Sequence, residues 1–127
     1  MSFLLDTHIF LWLDFASPRL PQRIRTVILR SEQPVYVSAA SFWEIAIKRH
    51  DGKLIYDGAP RTAAADAGFI ELDMDAADAE AAGGLEWTHR DPFDRMLVAQ
   101  CLNRSLTLVT ADVKLRGGPG VAVLWAG

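Results

Sequence analysis

Short, nearly continuous apolar runs alternate along the chain with longer segments whose apolar side chains recur every three or four residues. The short runs are Phe3 to Leu5, Val35-Tyr36-Val37, Phe69 to Leu72, Leu106 to Val109 and Val121 to Trp125. Their length and their β-branched and aromatic content predict five strands. Helices are predicted over 7–15, 22–30, 42–49, 60–68, from Asp75 to Gly83-Gly84, and from Phe93 to Asn103. In the second of these, Ile24, Val27 and Ile28 keep the i, i+3, i+4 spacing. Pro60, Asp75 and Asp91-Pro92 are start signals, and Gly52 and Gly68 are stop signals. Strands that are nearly continuous apolar runs and alternate with helices predict a parallel sheet covered on both faces, the α/β class. The stretch 83–91 is the one candidate long loop.

Composition adds bounds to this picture. The chain has 127 residues, half of them hydrophobic and 23% charged. That balance fits one globular domain over 1–127, without repeats or linkers, and excludes a disordered chain. Cys101 is the sole cysteine, so no internal disulfide is expected and a reducing compartment is favoured. The start, Met1-Ser2-Phe3-Leu4-Leu5-Asp6, does not read as a signal peptide, and the apolar run Ile9 to Leu13 is too short to span a bilayer. A cytoplasmic protein with no membrane partner is therefore expected. The net charge is −3 but uneven: residues 62–94 carry nine acids and one base, while both flanks are mildly basic. Arginine, the residue suited to bidentate phosphate contacts as well as to salt bridges, supplies 10 of the 13 cations.

In an open parallel sheet, ligands bind beyond the carboxyl ends of the strands, where strand order reverses. Four acids fall at such ends: Asp6 after the first strand, Glu44 and Asp94 early in two helices, and Asp112 after the fourth strand. Each has a plain local reading. Asp6 suits the cap of the helix at Thr7. Ser41-Phe42-Trp43-Glu44 fits a capping box. Asp91-Pro92-Phe93-Asp94 has a cap, a proline and an acid at the third position, and Asp112 suits a turn. Capping, however, does not require the acids of different helices to share one edge. Converging carboxylates repel by several kcal/mol at intermediate dielectric. A hard divalent cation removes that cost, and the all-carboxylate set points to Mg²⁺ or Mn²⁺ rather than zinc. Setting the four acids aside changes the net charge from −3 to +1, which is no obstacle to a polyanionic substrate.

Four segments carry a family resemblance. They are Leu4-Leu5-Asp6-Thr7-His8, Ser38 to Lys48 with Phe42-Trp43-Glu44, His89 to Gln100 with Asp91-Pro92-Phe93-Asp94-Arg95, and Leu108-Val109-Thr110-Ala111-Asp112. In this order and at these separations they resemble the PIN-domain ribonucleases, above all the VapC-type toxins of toxin–antitoxin pairs. The resemblance spans residue 3 to about residue 125. It implies a three-layer α/β/α sandwich with a five-stranded parallel sheet. It also implies an acidic cluster that holds Mg²⁺, or Mn²⁺ in its place, and cleaves RNA; in-line attack by a metal-bound water then predicts 5′-phosphate and 3′-hydroxyl ends. Asp6, Glu44 and Asp94 match the three core acids, and Asp112 matches a fourth, more variable one. Asp91 rivals Asp94, which is preferred because it opens the Asp-x-x-Leu-x-Ala run. Thr7 and Thr110 match hydroxyl positions beside the acids. A small antitoxin protein and a homodimer are implied as partners. The sequence departs from the family in lacking Leu-Pro ahead of His89 and in the glycine-rich 117–120 stretch.

Among the remaining residues, Lys48 stands at i+4 from Glu44, where it suits a helix ion pair or a phosphate contact. Arg95 suits an acid or RNA, and His8 and His89 read as structural or substrate-side. Trp12, Trp43 and Trp125 read as core or interface, with Trp87 the exception in the predicted loop. Two other function classes remain open. A receiver or haloacid-dehalogenase-like phosphoryl-transfer enzyme would also use strand-end aspartates and Mg²⁺. Against it, Thr7 and His8 stand where a second acid is wanted, and Asp73 and Asp75 head a helix. A non-catalytic binding module would use the four acids only as caps.

Overall fold

A computed structural model describes residues 1–127. Five strands form: β1 (Phe3–Leu5), β2 (Val35–Ser38), β3 (Ile70–Leu72), β4 (Thr107–Thr110) and β5 (Ala122–Trp125). All neighbouring strands pair in parallel, in the order β3-β2-β1-β4-β5. Seven helices connect them: α1 (Thr7–Asp14), α2 (Gln22–Leu29), α3 (Ala39–His50), α4 (Pro60–Asp66), α5 (Ala76–Gly84), α6 (Pro92–Arg104) and α7 (Val113–Arg116).

Side chains alternate across a strand, and here both sets are buried. Phe3, Leu5, Val35, Val37 and Val109 face one layer, with Ile9 and Phe10 of α1, Ile24 and Ile28 of α2 and Ile45 of α3. Leu4 and Leu108 face the other, with Leu97, Val98 and Cys101 of α6 and Leu115 of α7. The result is a three-layer α/β/α sandwich. Its doubly covered sheet explains why the central strand β1 reads as an unbroken apolar run rather than as an alternating one.

Three local features depart from expectation. Helix α3 begins at Ala39, three residues early, because Ser38 is the cap and its hydroxyl accepts from the Ala40 amide at 3.0 Å. The capping box at Ser41–Glu44 is therefore not formed. Helix α7 has a single turn, too short for a periodic signal, and occupies the glycine-flanked segment after Asp112. Asp6 occupies the cap position of α1 but makes no capping bond. Elsewhere the signals hold: Asp75 and Asp78 form a capping box on α5, and Asp91 caps α6.

Strand order reverses between β1 and β4. From β1 the chain steps outward through β2 to β3, and from β4 outward to β5. The carboxyl ends of these two central strands thus flank the crevice where such sheets bind ligands. Asp6 follows one strand and Thr110 ends the other.

Candidate active site

Asp6 sits at that crevice, 4% exposed. Its backbone amide extends the sheet by donating to the Val109 carbonyl at 2.9 Å, which fixes where the side chain begins. Thr110 Oγ1 donates to Asp6 Oδ2 at 2.8 Å. Burial pushes the carboxyl up, to about 6. The Thr110 hydroxyl and His8 pull the other way, and the Asp94 and Glu44 carboxylates push it further up. None of the molecule's five ion pairs involves Asp6. It is a desolvated acid beside other acids, with no cationic partner within bonding distance.

Glu44 and Asp94 reach the same edge from α3 and α6. Two contacts set these helices: Thr7 Oγ1 donates to Ser41 Oγ at 2.8 Å, tying α1 to α3, and the Trp43 and Phe93 rings meet edge-to-face at 5.0 Å, tying α3 to α6. Glu44, 9% exposed, takes Lys48 Nζ on its Oε2 at 2.9 Å. Asp94 Oδ2 lies 2.6 Å from His89 Nε2. Burial raises the Asp94 pKa, His89 opposes that, and Asp91 and Asp112 raise it further. Asp112 caps α7, its Oδ1 accepting from the Lys114 amide at 2.9 Å. With Asp6, His8, Trp12 and Ala111 it lines a cavity of about 150 Å³. Asp91 is committed elsewhere: its Oδ1 accepts from the Phe93 and Asp94 amides at 2.9 and 3.1 Å. Asp91 thus serves the helix start, while Asp94 meets a side chain of the loop.

The four acids share an edge without closing on a point. No three His, Cys, Asp or Glu side chains stand near enough together to hold one metal ion. The local reason is that Glu44, Asp94 and Asp112 are each engaged by a neighbour: Lys48, His89 and the start of α7. In kind, the set fits a hard divalent cation. Its donors are oxygens, and its most buried member, Asp6, has no ion-pair partner and is held toward its neutral form by burial and by like charges.

Several side chains stand away from their expected places. Thr7 bonds Ser41 rather than an acid, whereas Thr110 does lie on Asp6. Lys48 does take one of its two expected roles, the ion pair with Glu44. Arg95 bonds no acid; all of its hydrogen bonds go to backbone carbonyls. His89 is the site neighbour that the sequence hides, because it reaches Asp94 across an irregular loop that has no period to read. Trp87 packs against the core layer that holds Leu97 and Leu108, and on the His89 ring, 4.9 Å between centroids.

The model of the PIN domain matches residues 3–118. No curated protein sequence matches. A chain from the VapBC2 complex of Rickettsia felis, bound to a DNA fragment of its promoter, superposes with a TM-score of 0.73 at 15% identity, covering 100% of both chains. A chain from DNA-bound VapBC of Salmonella typhimurium gives 0.69 at 21%, covering 100% of this chain and 99% of that one. A chain from FitAcB of Neisseria gonorrhoeae gives 0.61 at 23%, covering 96% of each. At these identities the likeness is one of fold. The family model, which takes in nearly the whole chain, carries the assignment: this protein belongs to the PIN-domain family.

Proposed function

We propose that this chain is a Mg²⁺- or Mn²⁺-dependent endoribonuclease of the VapC type, the toxin of a type II toxin–antitoxin pair. The observation that carries the reading is Asp6: buried at the switch point of a parallel sheet, unpaired by any cation, and pushed up to about 6 with Glu44 and Asp94 among the causes. Desolvated acids shifted by neighbouring charges cluster at functional sites. Family membership supports nuclease chemistry, and solved VapBC complexes with this fold support an antitoxin partner.

In this reading Asp6 and Asp94 hold the cation, and Glu44 and Asp112 complete its surroundings or orient the attacking water. When bound, such a cation supplies an acidified water and neutralises charge on the departing oxygen of a phosphodiester. Thr110 fixes the Asp6 carboxylate, and Lys48 fixes that of Glu44. The substrate is RNA, cut to leave a 5′-phosphate and a 3′-hydroxyl. A homodimer with a small antitoxin, in the cytoplasm, completes the proposal; no helix is long and apolar enough to cross a membrane.

The test is RNA cleavage with and without Mg²⁺ by the wild type, Asp6→Asn and Asp94→Asn. A metal-held site is worth several kcal/mol to the reaction, so each variant should lose on the order of a hundredfold or more. Cleavage near wild-type rates by both variants, or cleavage unaffected by chelation, contradicts the proposal.

A further inference from the structure

Arg95 follows Asp94 on α6, yet its guanidinium turns to the loop that precedes the helix. Its Nε donates to the Ala82 carbonyl at 2.9 Å. Nη1 donates to the Trp87 and His89 carbonyls at 2.9 and 3.0 Å. Nη2 donates to the Leu85 and Gly83 carbonyls at 2.8 and 3.4 Å. A guanidinium has five N–H donors. Here each meets a different carbonyl, so none remains for a phosphate or a carboxylate.

Ala82 and Gly83 lie in the last turn of α5, where carbonyls have no amide partners in the helix. A cation at that end also meets the negative pole of the helix. Leu85, Trp87 and His89 belong to the loop, which has little backbone pairing of its own beyond Trp87 N–H to the Leu85 carbonyl at 2.9 Å. The loop therefore takes its shape largely from one side chain. At its far end, Asp91 ties it to the start of α6. Between these anchors His89 is brought back over α6, its ring on Trp87 and its Nε2 2.6 Å from Asp94 Oδ2. Fixing Oδ2 fixes the plane of the carboxylate, and so the direction of Oδ1.

We infer that Arg95 is a positioning residue for the site: it clamps the 82–89 backbone so that His89 orients Asp94 toward the cation. The inference rests on the proposed metal site. Lysine cannot replace arginine here, because its three donors radiate from a single nitrogen and cannot span five carbonyls. Partners that hold a metal-binding carboxylate from behind commonly change metal affinity by about 10–100-fold when removed.

The experiment measures Mn²⁺ affinity by calorimetry on the wild type, Arg95→Lys, His89→Ala and the double variant, alongside thermal melts. The imidazole nitrogen NMR signals of His89 are recorded in metal-free wild type and Arg95→Lys. The clamp requires each single variant to weaken Mn²⁺ binding about tenfold and the double variant to bind no more weakly than His89→Ala. It also requires the His89 signals to move in Arg95→Lys. Arg95→Gln, which keeps two donors, replaces Arg95→Lys if the latter does not fold. Unmoved His89 signals, or losses that multiply in the double variant, overturn the inference. A wild-type protein that binds no Mn²⁺ contradicts the metal reading instead, and the His89 signals then decide the clamp alone.

Discussion

Asp6 and Asp78 are both buried, at 4% and 0% exposure, yet their surroundings differ in kind. Burial pushes Asp78 up as well. Hydrogen bonds from Arg104, Asn103, the Asp75 amide and Gln100 outweigh it and hold the carboxyl well below the ordinary range. Asp6 has only the Thr110 hydroxyl and His8 to oppose its burial. A carboxyl raised on folding contributes stability below the unfolded pKa, near 4, and loses it as pH rises through its folded value, here about 6. In metal-free buffer Asp6→Asn should therefore stabilise the fold at pH 8, by on the order of 2–3 kcal/mol, with the gain closing toward pH 4. Denaturant titrations across that window check it. A variant less stable than wild type at pH 8 would mean that Asp6 serves the fold rather than the site. The chemistry of Asp6 was legible as an acid at a strand end. Its unpaired state was not, because the sequence cannot say which cation lies nearby.

Asp78 belongs to the scale of elements, since it joins α5 to α6. Arg104 reaches it at 2.7 Å through Nη1 and 2.9 Å through Nη2, and Asn103 reaches it at 3.0 Å. Asp78→Ala leaves these donors without their acceptor and should cost about 3 kcal/mol, the lower end for a broken buried pair because Arg104 is partly solvated. The lowered carboxyl gives stability that is present above about pH 4 and lost as pH falls, so the deficit of Asp78→Ala should shrink in acid. Thermal melts at pH 7 and pH 3 test both statements. Elements with strong punctuation were readable. Asp91-Pro92 and Pro60 announced α6 and α4 within a residue of where they begin. The start of α3 was not, because Ser38 and Ser41 are equally good caps and the end of β2 chooses between them. The hydroxyl of Ser41 is left to bond Thr7, a contact between α1 and α3 that no local pattern contains.

For the whole molecule, the alternation of apolar runs and helices was sufficient to predict a parallel sheet covered on both faces, because two-sided burial removes polar residues from the strands. Strand order was not written in that pattern. It decides that Asp6 and Thr110, far apart in sequence, meet at the switch point, and that α3 and α6 bring Glu44 and Asp94 to the same edge. The detail of convergence was also beyond the sequence: Lys48, His89 and the α7 amides each draw a carboxylate toward a local partner, so the edge is acidic without a closed ligand set. The account therefore turns on whether a divalent ion gathers these side chains. The direct measurement is a crystal of the wild type grown with Mn²⁺ and examined by anomalous scattering. A manganese peak bonded to carboxylate oxygens of both Asp6 and Asp94 is the predicted result. Saturating Mn²⁺ with no peak there, or with the ion held only elsewhere, would contradict it.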